Sequence, residues 1–151
     1  MTSTTHSDPL VQRARVAALG ANAPYSRFSV GCAVESVDGE VAVGSNMENA
    51  CYRLGICAEQ AGLSAAKQAF GLDRVARIAV AGGSASAGEL QGEAVVTPCG
   101  GCRQAILEAA HVSGRDIEIL CASGDGGEVT STRISELLPF GFGPKNLEDA
   151  G

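Results

Sequence analysis

The sequence of 151 residues has few aromatic residues: no tryptophan, two tyrosines and four phenylalanines. Because aromatic residues make up 4% of the chain and apolar residues 45%, the core must be filled mainly by small aliphatic side chains. No stretch approaches the roughly 18 consecutive apolar residues of a membrane-spanning helix. Residues 1–8 are polar and lack the basic-then-apolar order of a signal peptide. These absences predict a soluble, cytoplasmic protein, and the length predicts a single domain.

Basic residues are also scarce. Eleven Lys and Arg against seventeen Asp and Glu give a formal charge of −6. Proteins that bind nucleic acids normally carry a basic patch that neutralises phosphates, whereas the basic residues here are scattered along the chain. The composition therefore argues against a polynucleotide as substrate or partner.

Apolar periodicity and turn residues predict alternating helices and strands. Helices are expected over 9–19, 57–70, 98–110 and, as a single turn, 135–138. Strands are expected over 28–37, 40–45, 75–81, 94–96, 117–122 and 129–131. Asp38-Gly39 predicts a hairpin turn between the first two strands. Segment 82–92 is expected to be a flexible loop, and residues 1–8 and 148–151 flexible tails. This order of elements indicates an α/β sandwich with a mixed sheet.

Three of the six cysteines lie in two motifs about forty residues apart, Cys57-Ala58-Glu59 and Pro98-Cys99-Gly100-Gly101-Cys102. A structural zinc site needs four protein ligands, whereas a catalytic site leaves one position open for water. Three thiolates fit the catalytic kind.

The other cysteines and both histidines lack the spacing of metal ligands. We interpret Cys32, Cys51 and Cys121 as small buried hydrophobic residues. His111 follows Cys102 by nine residues on the same predicted helix, about 13 Å along its axis. His6 lies in the N-terminal tail. No histidine is therefore expected to complete a closed site.

Both motifs stand where helices are predicted to begin. Unpaired N–H groups and partial positive charge there offset thiolate charge and are expected to lower the thiol pKa values. Glu59, close to the open metal position, can take a proton from water and pass it to a ring nitrogen and a leaving amine. Without a metal, Glu59 would be an ordinary first-turn glutamate. Three cysteines with a glutamate that is not a ligand are typical of zinc-dependent nucleobase deaminases.

Between Ala23 and Leu147 the chain resembles cytidine deaminases of the short, homotetrameric type. Beyond the cysteine motifs, the resemblance rests on Pro24-Tyr25-Ser26-x-Phe28-x-Val30-Gly31, Asn46-Met47-Glu48-Asn49-Ala50, Cys102-Arg103-Gln104 and Leu137-Leu138-Pro139. Long dimeric relatives use histidine as the first ligand, so Cys57 indicates the short type. The resemblance implies a three-layer α/β/α sandwich with a mixed five-stranded sheet. It also implies one zinc ion per chain, held by Cys57, Cys99 and Cys102.

The resemblance further implies how a nucleoside is bound. Asn46 and Glu48 are expected to hydrogen-bond the ribose, chiefly its 3′-hydroxyl, because a sugar needs a donor and an acceptor side by side. Phe28 is expected to stack near the base, whose faces need an apolar wall. Ala58 is expected to offer backbone groups to the base. Without the resemblance, the Asn46-x-Glu48 pair would be an unremarkable turn after a strand.

Other positions point to a site shared between subunits. By the same resemblance, Ala50 and Tyr52 reach the 5′ side of a substrate held by a neighbouring subunit. Either Phe140 or Phe142 closes that neighbour's pocket, with core or interface packing as the alternative for both phenylalanines.

One position departs from the family pattern. Relatives commonly carry arginine directly after the glutamate, where it hydrogen-bonds the ligand thiolates and counters their charge. Gln60 stands there in this chain, and an amide can donate a hydrogen bond but brings no charge. We hypothesise that Arg53 or Arg103 supplies the charge, or that water at the metal is less acidic than in relatives. The pH–rate profile of a Gln60→Arg variant tests this.

These observations predict hydrolytic deamination of cytidine and 2′-deoxycytidine, as in pyrimidine salvage, with Glu59 as the proton carrier. One alternative is another aminopyrimidine nucleoside, such as an N4- or C5-modified cytidine or the antibiotic blasticidin S, although the Asn46 and Glu48 pair argues against the antibiotic. A polynucleotide deaminase is disfavoured by the charge. A catalytically silent zinc-binding scaffold is disfavoured by the presence of Glu59.

Overall fold

The computed structural model describes residues 2–4 and 8–148. The helices are α1 Pro9–Ala18, α2 Ala58–Ala69, α3 Gly100–Ser113, α4 Ile134–Leu137 and α5 Pro144–Glu148. The strands are β1 Thr2–Thr4, β2 Ser29–Ser36, β3 Val41–Ser45, β4 Val75–Ser86, β5 Glu89–Gln91, β6 Glu118–Ser123 and β7 Val129–Arg133. Single 3₁₀ turns occur at Tyr52–Leu54 and Leu72–Arg74.

The strands form one mixed sheet in the order β1-β7-β6-β4-β2-β3, and β5 pairs with β4 outside this order. β4 and β6 run parallel, while the other neighbouring strands are antiparallel. The five central strands and the mixed sheet are as predicted, and β2 and β3 form the hairpin expected at Asp38-Gly39. The short strand β1 adds a sixth member at the edge.

Helices cover both faces of the sheet, so the predicted three-layer sandwich is confirmed. Because side chains alternate between the faces of a strand, each face has its own apolar core. One core joins the buried face of α1 to the sheet through Leu10, Val11, Ala14, Ala18, Ala33, Ala79, Ala81 and Leu120. The other joins α2 and α3 to the opposite face through Ala58, Leu63, Ala66, Ile106, Ala109, Val34, Ile78, Val80 and Ile119.

The start of α1 follows its sequence signals. Asp8 caps the helix, since its Oδ1 accepts a hydrogen bond from the Leu10 amide at 2.9 Å. Pro9 occupies the first turn, where its missing N–H costs nothing. The helix ends at Ala18, one residue before the predicted end at Leu19.

The prediction of a flexible loop over 82–92 is wrong. β4 continues to Ser86 and turns through Ala87 and Gly88, both with positive φ, into β5. Leu90 of β5 is buried against the α1 side of the sheet. The Gly and Ser content of this segment indicated a loop, but burial of one leucine and pairing with β4 stabilise a hairpin.

Other boundaries also differ from the predictions. The strand expected over 94–96 is reduced to one bridge between Val95 and Ser123. α3 starts two residues later and ends three residues later than expected, and α5 was not predicted. Of the expected tails, Thr2–Thr4 forms β1 and Glu148 ends α5, while residues 1, 5–7 (with His6) and 149–151 lie outside the described residues.

Gly31 of β2 lies directly beneath α1. A Cβ added there would come within 1.9 Å of the Ala14 carbonyl oxygen and 2.5 Å of the Ala18 amide nitrogen. Main-chain atoms cannot move aside as a side-chain end can, so we expect Gly31→Ala to lower the unfolding free energy by about 3 kcal/mol. Urea denaturation measures the change. Gly20→Ala is the matched control because its nearest contact is 3.4 Å away, and equal midpoints for the two variants would contradict the prediction.

Candidate active site

The two helix starts identified in the sequence meet at one place. Cys57 and Cys99 are the N-cap residues of α2 and α3, both with extended backbone, and Cys102 lies in the first turn of α3. The three Sγ atoms all lie within 4.8 Å of one another. Within residues 2–4 and 8–148, no other group of three or more His, Cys, Asp or Glu could hold a metal ion. The predicted cluster is confirmed.

The chemistry of this donor set fits zinc. Zinc–sulfur bonds of about 2.3 Å place the sulfurs of a tetrahedral site about 3.8 Å apart, which small movements of these side chains would achieve. Burial and the nearby Glu59 carboxylate raise the pKa of Cys102, and burial raises the pKa of Cys57. Three negatively charged sulfurs this close repel one another, so all three can be thiolates only when a cation lies beside them.

The thiol pKa values correct one prediction from the sequence. Helix starts were expected to lower them for all three cysteines, but only Cys99 has a lowered pKa, chiefly because the backbone amide of Cys102 donates to it. For Cys57 and Cys102, desolvation by burial is the largest influence, and it raises the pKa of both thiols.

Glu59 lies beside the sulfurs on the first turn of α2 and is 5% exposed. Its Oε2 accepts a hydrogen bond from Cys102 Sγ at 3.5 Å. Burial raises the pKa of this carboxyl. The carboxylate thus adjoins the metal ligands and faces a cavity of about 200 Å³, lined by Val30, Asn46, Cys57, Ala58, Glu59, Val96, Thr97 and Cys99.

The walls of this cavity include residues that the sequence analysis did not assign to the site: Val30, Val96 and Thr97. Val30 is part of the motif around Phe28, and Val96-Thr97 directly precede Pro98, so proximity to motifs was the available signal. Ala58 is buried and lines the cavity, and its role in offering backbone groups to the base stays a prediction.

Asn46 is fixed between β2 and the cavity. Its Oδ1 accepts from the Val30 amide at 2.8 Å, and its Nδ2 donates to the Phe28 carbonyl at 2.9 Å. Phe28 itself is 45% exposed and is not among the residues that line the 200 Å³ cavity. Its ring lies over Gly82 of β4, where an added Cβ would come within 3.2 Å of Cε1.

A second cavity of about 550 Å³ adjoins the first and shares Asn46 and Cys57 with it. Glu48 lines this second cavity, and its Oε1 accepts from the amides of Tyr25 and Ser26 at 3.0 and 3.1 Å. Hydrogen bonds from Ser26 lower the pKa of Glu48, so it is ionised at neutral pH. The larger cavity thus holds the Glu48 carboxylate, and the smaller one holds Glu59 and is lined by Cys57 and Cys99.

The residues expected to serve a neighbouring subunit lie on the surface. Ala50 is exposed. Tyr52 is 81% exposed, lines the larger cavity and makes an edge contact with Tyr25, the ring centroids being 6.1 Å apart. Phe140 is fully exposed with a positive φ, and the Phe142 carbonyl accepts a hydrogen bond from Gln104.

Gln60 and the two arginines considered for compensating its missing charge, Arg53 and Arg103, differ in position. The Gln60 amide nitrogen donates to Cys102 Sγ at 3.9 Å. Arg103 donates to the carbonyl oxygens of Pro98 and Leu137, and Arg53 is exposed on the 3₁₀ turn at Tyr52–Leu54. Compensation of the missing charge stays a prediction.

The remaining cysteines are split between core and surface. Cys32 and Cys121 are buried as predicted, and burial raises the pKa of Cys121 to about 11. Cys51 is exposed, so its predicted burial is wrong: it lies in the loop after β3, directly before the 3₁₀ turn at Tyr52–Leu54. His111 is exposed toward the far end of α3, away from the sulfurs, as expected.

Three converging sulfurs beside a buried carboxylate at the base of a cavity define a zinc-dependent hydrolase site. The family "Cytidine and deoxycytidylate deaminase zinc-binding region" matches residues 4–113. The chain is 37% identical over 140 residues to a cytidine deaminase of Halalkalibacterium halodurans, covering 93% of this chain and 96% of that protein. It is 38% identical over 131 residues to a cytidine deaminase of Mycobacterium tuberculosis, covering 87% and 85%.

Solved structures agree with these sequence matches. The crystal structure of cytidine deaminase from Burkholderia pseudomallei superposes with a TM-score of 0.76 at 36% identity, covering 94% of this chain and all of that one. The M. tuberculosis structure gives a TM-score of 0.68 at 34% identity, with coverage of 89% and 94%. The chain therefore belongs to the cytidine and deoxycytidylate deaminase family. None of its described helices is long and apolar enough to span a membrane.

Proposed function

We propose that this protein is a zinc-dependent cytidine deaminase that converts cytidine and 2′-deoxycytidine to the uridine nucleosides and ammonia. The observation that carries the proposal is the Glu59 carboxylate, 5% exposed and 3.5 Å from Cys102 Sγ, facing a cavity that Cys57 and Cys99 also line. Its relatives with 37% and 38% identity are named cytidine deaminases. A silent scaffold would have no need to bury this carboxylate.

The residues divide the work of hydrolysis. Zinc held by Cys57, Cys99 and Cys102 supplies Lewis-acid activation of water. Glu59 accepts one proton of the attacking water and donates it to N3 of the ring; it then takes the second proton from the hydroxyl formed at C4 and delivers it to the amine. A C4–O bond forms, the C4–N bond breaks and ammonia leaves. Because burial raises the pKa of Glu59, its carboxyl can hold a proton between these transfers.

The cavity walls select a flat, neutral base joined to a sugar. Val30 and Val96 provide apolar surface for the pyrimidine faces. Asn46 uses one of its two amide hydrogens for the Phe28 carbonyl, which leaves the other for a hydroxyl. Glu48 accepts backbone amides through Oε1 and can accept the 3′-hydroxyl through Oε2. Both nucleosides carry that hydroxyl, so both are substrates.

The test is the ultraviolet absorbance change when zinc-loaded protein is mixed with cytidine or 2′-deoxycytidine. We expect turnover of both nucleosides with ammonia released in equal amount. Single-stranded DNA and N4- or C5-modified cytidines are run in parallel. If the protein binds one zinc per chain but turns over only a modified cytidine, that modified cytidine becomes the proposed substrate. No turnover of any nucleoside would overturn it in favour of a zinc-binding scaffold.

We further propose a homotetramer with shared active sites, acting in cytoplasmic pyrimidine salvage. Tyr52, 81% exposed, and Phe140, fully exposed, are costly to leave in water, and a second copy of the chain would cover them. We expect sedimentation to give the mass of four chains. Phe140→Ala should raise KM at least several-fold at an unchanged unfolding midpoint, and Phe142→Ala is the comparison. A monomer with full activity would contradict this prediction.

A further inference from the structure

Arg103 makes contacts that neither metal binding nor proton transfer uses. It follows Cys102 in the first turn of α3, where its Nε donates to the Pro98 carbonyl at 2.8 Å and its Nη1 to the Leu137 carbonyl at 3.0 Å. Its own amide donates to the Cys99 carbonyl at 2.9 Å. Arg103 therefore bonds the peptide units on both sides of Cys99.

Cys99 is the ligand with the least support from packing. Cys102 is buried and Cys57 is half-buried, whereas Cys99 is exposed. The following Gly100 and Gly101 are also exposed, and a Cβ on either would meet no atom within 4 Å. Glycine loses more conformational freedom on ordering than any other residue. Pro98, directly before Cys99, is fully buried, but packing does not reach Cys99 and the two glycines, so hydrogen bonds must hold this part of the turn.

The second acceptor of Arg103 belongs to a fixed element. Leu137 ends α4, so its carbonyl has no partner within the helix. α4 is anchored in the core by Ile134, which is 1% exposed. A guanidinium presents its N–H groups in a rigid planar fork. By bonding both carbonyls, Arg103 can thus hold the Pro98 carbonyl at a fixed distance from the end of α4.

We propose that Arg103 is a positioning residue that keeps Cys99 in place for metal binding by clamping the Pro98–Cys99 peptide to the end of α4. Its side-chain contacts are carbonyl oxygens, so its role is geometric and differs from the charge compensation hypothesised from the sequence. The inference rests on the proposed zinc site but not on cytidine as substrate. Groups that orient a metal ligand typically contribute 10- to 100-fold in metal affinity.

The experiment follows zinc release from the loaded protein to an excess of a chromophoric chelator. We expect Arg103→Met, which keeps the apolar stem and removes the donors, to release zinc about 10- to 100-fold faster than the wild type. Arg115→Met is the matched control. The Arg115 Nη1 also donates to two carbonyls, those of Asp73 and Ser113, but Arg115 lies beyond the end of α3, and the last residue of that helix is already about 15 Å along the axis from Arg103. We expect this control to release zinc at the wild-type rate.

Arg103→Lys separates a clamp from a charge, because lysine keeps the charge but not the planar fork. Faster zinc release from the lysine variant supports the positioning role of Arg103. The release rate of this variant also tests the proposal if Arg103→Met does not fold. Wild-type release from the lysine variant overturns the proposal, as does equal acceleration in Arg115→Met. Cytidine turnover of the wild type is recorded beside release, so a protein that binds zinc without deaminating cytidine contradicts the proposed function alone.

Discussion

Replacement of Glu59 by alanine is expected to leave zinc bound and to reduce turnover of cytidine by about 10⁴-fold, at the upper end of general acid–base effects. The carboxylate lies beside the cysteine cluster but outside the group of atoms that could hold the metal. Its removal therefore takes away the proton carrier and leaves the ligands in place. Metal analysis of the purified variant, with the ultraviolet assay, measures both quantities.

Stability distinguishes a catalytic Glu59 from a structural one. Because burial raises the pKa of this carboxyl, keeping it ionised in the folded protein costs free energy. We therefore expect Glu59→Gln to unfold at the same or a higher denaturant concentration than the wild type while remaining inactive. Glu108→Ala, at an exposed position on α3, should keep full turnover. An active Glu59→Ala protein would refute the mechanism.

Local signals in the sequence were sufficient to locate the metal site. Cys57 and Cys99 are the N-cap residues of α2 and α3, and Pro98, directly before Cys99, marks a helix start that needs no tertiary information. The spacing of Cys99 and Cys102 within one turn then brings both sulfurs to the same place. Only the close approach of the starts of α2 and α3 depends on the tertiary fold and could not be read from local signals.

Features that depend on distant contacts could not be predicted in this way. The β4–β5 hairpin forms because Leu90 finds an apolar face that α1 completes. The raised pKa values of Cys57 and Cys102 depend chiefly on burial, which the local sequence does not reveal. The partner of Arg103 at Leu137 lies 34 positions along the chain, beyond any local pattern.

The substrate contacts illustrate a third case, in which resemblance supplied the residues and the structure supplies the reason for their position. Asn46 holds the main chain at Phe28 and Val30, so its side chain is already oriented before a nucleoside arrives. Glu48 is oriented in the same way by the amides of Tyr25 and Ser26. Such pre-organisation lowers the entropic cost of binding.

Replacement of Cys99 by alanine is expected to abolish both zinc binding and turnover, in contrast to Glu59→Ala. Two remaining thiolates cannot hold zinc in the three-ligand geometry of a catalytic site. Because Cys99 is exposed, its truncation leaves no buried cavity, and the apo fold should unfold near the midpoint of the zinc-free wild type. Metal analysis, cytidine turnover and urea denaturation are measured on the same preparation.

Cys51→Ala is the control for this prediction, since Cys51 is also exposed but lies outside the cluster. It should retain zinc and full turnover. Zinc binding by Cys99 also requires loss of its thiol proton, so wild-type zinc affinity should weaken as pH falls, whereas the Cys99→Ala protein should stay metal-free throughout. One zinc per chain in Cys99→Ala would show that another group can replace this ligand, and the proposed site would then be wrong at Cys99.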